Sequence, residues 1–230
     1  MEEVTPDQLI LALDVDTAKE ALQWARRLKS RVGTFKVGLQ LYLRAGGEVL
    51  AGLQAMEAPI FLDLKFHDIP HTVGQAVAAV ADWRPRFLTI HASGGRGMME
   101  AAVAAAPSET KVLGITLLTS LAEADLSAAG WRGGVAETVE CLSGLGREAG
   151  LAGIVCSPHE ARRERVAWGT EGEIVTPGVR PPGTKTDDQV RSKTVAEAIC
   201  EGASRVVVGR PVLRASNPEE VLDLILEGRG

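Results

Sequence analysis

The chain has 230 residues, of which 45% are hydrophobic and 24% charged, and a formal net charge of −5. That balance is ordinary for a globular protein and argues against disorder, while four tryptophans, four phenylalanines and one tyrosine are too few for a base-stacking platform. The net negative charge sets the chain against nucleic-acid and anionic-membrane partners, and three widely spaced cysteines (Cys141, Cys156 and Cys200) give no disulfide framework and no zinc motif.

The first residues, Met1-Glu2-Glu3-Val4-Thr5-Pro6, are acidic and lack the basic and apolar regions of a signal peptide. No apolar run reaches membrane-spanning length, so the expected location is the cytoplasm. A first short aliphatic run covers residues 9–13 and ends in Asp14. Thr17-Ala18-Lys19-Glu20 then reads as a capping box, followed by Ala21, Leu22, Ala25 and Leu28 at helical spacing. A second run, 34–37, holds Lys36 and leads into Gly38. The third, 60–64, carries Asp63 and runs on into Lys65, His67, Asp68, Ile69 and Pro70. A small-residue helix is expected over 76–80, a fourth run over 87–90 before His91, and another small-residue helix over 101–106. The fifth run, 112–117, precedes Thr119 and Ser120. A long interval follows, and an extra short helix near 123–129 is expected to fill part of it before the sixth run, 153–156. The seventh, 173–176, opens a glycine- and proline-rich stretch to 188 that reads as a mobile loop. The eighth, 205–208, is followed by Gly209 and Arg210. Asn217-Pro218-Glu219-Glu220 starts a last helix, with Val221, Leu222, Leu224 and Ile225 as its buried face and Gly228 as its stop.

Continuous rather than alternating aliphatic runs suit strands covered on both faces, as in a parallel sheet. Eight of them alternating with helices predict a single (β/α)8 barrel over residues 1–230, with an open doubly wound sheet as the alternative.

Chemistry in such a barrel lies at the C-terminal ends of the strands. Asp14, Lys36, Asp63, Lys65 and Asp68 all fall there. Asp63 and Lys65 are two apart, so a strand points both to one face. A buried unpaired charge is very costly, so these groups must pair with one another or with a ligand. One ion pair closing the barrel top would explain one acid and one lysine; five charges at one mouth exceed that. Gly209 followed by Arg210 at the end of the last strand fits a phosphate site, because the glycine admits a close backbone approach and arginine binds bidentately. His67 and His71 are four apart, but Pro70 lies between them at a strand–helix turn, which argues against a shared metal. His91 ends the fourth strand, within reach of the acids.

These residues, as Ala12-Leu13-Asp14, Phe35-Lys36-Val37-Gly38, Asp63-Leu64-Lys65-Phe66-His67-Asp68-Ile69-Pro70, Leu118-Thr119-Ser120, Thr176-Pro177-Gly178-Val179-Arg180-Pro181, Asp188-Gln189 and Val208-Gly209-Arg210-Pro211, follow one another in a known order. The chain resembles the orotidine 5′-phosphate decarboxylase family over nearly its whole length. The resemblance implies conversion of orotidine 5′-monophosphate to UMP and CO2, without cofactor or metal. It implies Lys65 as proton donor to C6, Asp63 beside the departing carboxylate, and Lys36 and Asp68 completing a charge network. It places Asp14 at the ribose and pyrimidine side, Thr119 and Ser120 at the pyrimidine, and Arg180, Gln189, Gly209 and Arg210 at the phosphate. It also implies a homodimer in which Asp68, Ile69 and Thr72 reach the partner's site. The Asp-x-Lys-x-x-Asp core is shared with metal-dependent sugar-phosphate enzymes, which form the nearest rival reading. A catalytically silent nucleotide-binding barrel is a second.

Overall fold

The computed structural model describes residues 3–177 and 193–228. Its strands are β1 (Leu9–Ala12), β2 (Thr34–Gly38), β3 (Ile60–Phe66), β4 (Phe87–His91), β5 (Lys111–Ile115), β6 (Gly153–Val155), β7 (Glu173–Thr176) and β8 (Arg205–Val208). All pair in parallel, in sequence order, and β8 closes on β1, so the sheet is a barrel rather than an open doubly wound sheet. Helices α1 (Ala18–Leu28), α2 (Leu39–Ala55), α3 (Pro70–Ala79), α4 (Arg96–Ala105), α5 (Glu123–Ala128), α6 (Val135–Glu148), α7 (Ala161–Trp168), α8 (Val195–Cys200), α9 (Arg210–Leu213) and α10 (Pro218–Leu226) lie between and after the strands.

Strand parity sorts the residues into two cores. One parity of each strand (Leu9, Leu11, Phe35, Val37, Leu62, Leu88, Val206 and Val208 among them) packs outward against the helices. The other parity fills the barrel, where Ile10, Phe61, Phe87, Leu113 and Val175 form a separate buried cluster. Phe61 and Phe87 meet edge to face, with ring centroids 5.8 Å apart.

Below this plug, at the N-terminal ends of the strands, charges replace apolar groups. Glu173 pairs with Arg205 and, at 2.6 Å, with Lys111. Arg205 and Arg86 both bond Asp7, at 2.8 and 2.5 Å, and both guanidinium groups lie over the Phe87 ring. Above the plug, continuing the same inward parity, come Lys36, Asp63 and Thr89.

Helix starts follow the sequence signals. Thr17 accepts the Glu20 amide at 3.2 Å, and Asn217 accepts that of Glu220. The expected face of α10 needs correction: Leu222 and Ile225 are buried with Pro218, whereas Leu224 is exposed. Positions 218, 222 and 225 lie on one stripe, and Leu224 is turned roughly 200° from Leu222.

Candidate active site

The C-terminal rim gathers the charges. Asp63 is buried at the end of the inward parity of β3. Its Oδ1 accepts from Lys65 Nζ at 2.7 Å and from Thr89 Oγ1 at 2.9 Å, and its Oδ2 lies 3.4 Å from Lys36 Nζ. Lys36 also approaches Asp14, at 3.7 Å. An alternating series, Asp14–Lys36–Asp63–Lys65, therefore runs across the ends of β1, β2 and β3. Burial raises the Asp63 pKa, but the charges of Lys36 and Lys65 and the hydrogen bonds from Lys65 and Thr89 outweigh it and hold the carboxyl below its ordinary value.

Local backbone geometry makes this convergence. Leu62 pairs with Leu88, but Phe66 pairs with Ile90, so four steps along β3 match two along β4. This bulge holds Lys65 at a φ of +52°, a left-handed conformation rare for a residue with a side chain. The Lys65 amide, diverted from the regular ladder, donates to Thr89 Oγ1 at 2.9 Å. Gly38 leaves room for the Lys36 head group: a Cβ there would stand 3.1 Å from Lys36 Nζ.

Beyond the bulge the chain turns sharply. Pro70 begins α3 and keeps Ile69 extended, at φ −61° and ψ 155°. Asp68, Ile69 and Thr72 are all exposed, and Asp68 Oδ1 accepts the Ile69 amide at 2.7 Å. Asp68 is therefore turned outward at the rim of its own chain rather than inserted beside Lys65.

On the opposite half of the rim, Thr119 and Ser120 line a cavity of about 500 Å³ with Leu118, Ser157, His159 and Pro177. Asp14, Lys36, Asp63 and Lys65 are not in its lining, so charges and cavity occupy opposite sectors of one mouth. Gly209 joins β8 to α9, whose first residue is Arg210, exposed at the rim. A Cβ at Gly209 would lie 3.2 Å from that of Ala12 and 3.6 Å from Asp14 Oδ2, so glycine lets the start of α9 approach the β1 end of the charge series. Arg180, Gln189 and most of the stretch expected as a loop over 176–188 lie outside the described residues; Thr176 itself is buried in β7.

Two features of the mouth were not read from the sequence. Thr89 is one. The other is the contact of His67 with His91, whose ring centroids are 5.2 Å apart and whose planes are tilted by 37°. Burial, and then the neighbouring His67 and Lys65, lower the His91 pKa against a smaller opposing effect of Asp63. Among the described residues, no three His, Cys, Asp or Glu side chains converge on one point. Two ammonium groups, Lys36 and Lys65, flank Asp63.

The chain as a whole has close relatives in sequence and in fold. A relative from Thermobifida fusca (strain YX), named orotidine 5′-phosphate decarboxylase, is 46% identical over 91% of this chain and 90% of its own length. One of the same name from Rhodospirillum rubrum is 44% identical over 98% and 95%. The crystal structure of orotidine 5′-phosphate decarboxylase from Lactobacillus acidophilus superposes with a TM-score of 0.81 at 32% identity, covering 97% of this chain and 99% of that one. The family model for "Orotidine 5'-phosphate decarboxylase / HUMPS family" matches residues 7–225, a span from just before β1 into α10, and the chain belongs to that family.

Proposed function

We propose that the chain is an orotidine 5′-phosphate decarboxylase that releases CO2 from orotidine 5′-monophosphate, leaving UMP, with neither cofactor nor metal. The observation that carries this reading is the buried Asp63 carboxylate held between two ammonium groups, Lys36 and Lys65, at the barrel mouth. The family membership and the names of the relatives support the same substrate.

Breaking the C6–carboxylate bond leaves its electron pair on an sp2 carbon with no π system to accept it. Stabilisation must then be electrostatic, from groups already in place. The Lys65 ammonium offsets the developing charge and donates its proton to C6, and the resulting amine recovers a proton from solvent. Asp63 and Lys36 fix that ammonium in position. Asp14 serves the ribose and pyrimidine side, and Thr119 and Ser120 the pyrimidine. Arg180, Gln189, Gly209 and Arg210 hold the phosphate, whose binding energy contributes to the barrier when it helps assemble the charged site.

The working unit in this reading is a homodimer in the cytoplasm. Asp68, Ile69 and Thr72 are all exposed on the turn into α3, available to a second copy of the chain. Asp68 then completes the partner's charge network.

The test is direct. Protein treated with excess chelator is mixed with orotidine 5′-monophosphate, and the absorbance change is followed. Full turnover is expected. No turnover with or without added Mg2+ overturns the reading and leaves the metal-dependent sugar-phosphate branch, and turnover that needs added Mg2+ overturns its metal-free part.

A further inference from the structure

We infer that Thr89 is a positioning residue for the Lys65–Asp63 pair, a role this chain builds into the bulge between β3 and β4. The inference rests on the decarboxylase reading for its kinetic arm but not for its structural one. Thr89 is fully buried in β4 between Leu88 and Ile90, and its hydroxyl makes two contacts of defined direction. The Lys65 amide can only donate, so at 2.9 Å the hydroxyl oxygen is its acceptor. The hydroxyl proton is then free for Asp63 Oδ1, also at 2.9 Å. One side chain thus fixes the backbone of the lysine and the carboxylate that lysine binds.

The bulge creates the need for this. Lys65 at φ +52° gives up a regular ladder position, and a buried amide left without an acceptor is costly. A backbone carbonyl of β4 supplies no second function. A hydroxyl satisfies the amide and also sets the rotation of Asp63, so that Oδ1 faces Lys65 and Oδ2 faces Lys36. The Thr89 methyl alone does neither. Groups facing Asp63 are Lys36 from β2, Lys65 from β3, Thr89 from β4 and, less directly, His91 at the end of β4, which itself lies against His67.

The test compares Thr89→Val, which keeps the shape, with Thr89→Ser, which keeps the hydroxyl. Thr89→Val should lower kcat about 10- to 100-fold while UMP affinity stays within about threefold, because a hydrogen bond to a charged group is lost from the reacting pair only. The acid limb of its pH profile should move to higher pH, since Asp63 loses a bond that favours its ionised form. Thr89→Ser should stay near wild type. Hydrogen exchange at the Lys65 amide, measured by NMR without substrate, should accelerate at least about tenfold in Thr89→Val and not in Thr89→Ser. Wild-type kcat with an unmoved acid limb in Thr89→Val overturns the inference; so does equal impairment in both variants, or an unchanged Lys65 amide. If Thr89→Val does not fold, Thr89→Ala against Thr89→Ser decides by the same readouts. Failure of the wild-type chain to turn over the substrate strikes the decarboxylase reading, and the amide exchange still judges the clamp.

Discussion

Lys65 Nζ stands 2.7 Å from Asp63 Oδ1, although the chain between them leaves regular strand geometry at Lys65 itself. Simple alternation places the two side chains on one face; the bulge brings them into contact. The pair sits beside a second lysine, so removing one ammonium leaves Asp63 still partnered by Lys36.

That residual pairing makes Lys65→Ala a clean test of the proton donor. The fold should survive, and UMP binding should remain measurable by calorimetry. Turnover should fall by at least about 10⁴-fold, since both proton transfer and charge stabilisation are lost. Retained turnover in a folded variant would sink the assignment of Lys65.

Arg210 tests a different proposition, that phosphate binding far from C6 contributes to the barrier. It begins α9 at the rim, next to Gly209. Arg210→Ala should reduce kcat/KM about 10³-fold, and by more than about tenfold (~1.4 kcal/mol) in any case. A smaller loss in steady-state kinetics would mean that Arg210 does not grip the substrate.

Much of this site was legible before any coordinates. The eight aliphatic runs match the eight strands to within about two residues, because continuous burial on both faces leaves a strong sequence signal. Charges at strand ends marked Asp14, Lys36, Asp63 and Lys65, although of the four only Asp63 is buried and Asp14 is half exposed. The left-handed Lys65 was not legible, since nothing in Asp63-Leu64-Lys65 announces a bulge. Thr89 was hidden in a run read as aliphatic, yet a signal existed. It is the one polar residue within 87–90, and register from Leu62 to Leu88 sets it beside Asp63. The basal network of Asp7, Arg86, Lys111, Glu173 and Arg205 went unread because its members are scattered at strand starts, where charged residues are usually solvated.

The same basal network permits a stability test decoupled from catalysis. Glu173 and Arg205 are both buried, and breaking such a pair from one side costs about 3–5 kcal/mol. Lys111 remains on Glu173, so Arg205→Met should fall at the lower end, about 3 kcal/mol, or a thermal midpoint about 6–12 °C lower. Adding Glu173→Leu should recover part of the loss. The kcat of folded protein should not change, because the network lies below the Ile10–Phe61–Phe87 plug. An unchanged midpoint would show that the pair contributes nothing; a lower kcat would show that the two barrel ends are coupled.

Asp7 carries the pH dependence of that network. Its hydrogen bond from Arg86, with the charges of Arg205 and Arg86, lowers its pKa below the ordinary value of 3.8 against a smaller effect of burial. A carboxyl depressed in the folded state stabilises above its unfolded pKa, and the contribution fades as pH falls through the folded one. Asp7 is about half exposed, so screening limits the effect to about 1 kcal/mol. Asp7→Asn should therefore melt about 2–4 °C below wild type at pH 7. The two melting curves should converge below pH 3.8. A gap that persists at acid pH would assign the loss to geometry rather than to charge.

The outward position of Asp68 makes the proposed dimer testable without a structure of it. If Asp68 acts in the partner's site, Lys65→Ala and Asp68→Asn each inactivate every site of their own homodimers. In a mixed dimer the two lesions fall in the same site: the pocket lacking Lys65 also receives the altered Asp68. The other pocket keeps its own Lys65 and receives an intact Asp68. Co-refolding the two inactive chains in equal amounts should therefore restore about a quarter of wild-type activity, since half the dimers are mixed and each carries one intact site. If Asp68 instead serves its own chain, every site in the mixture lacks one group and no activity returns.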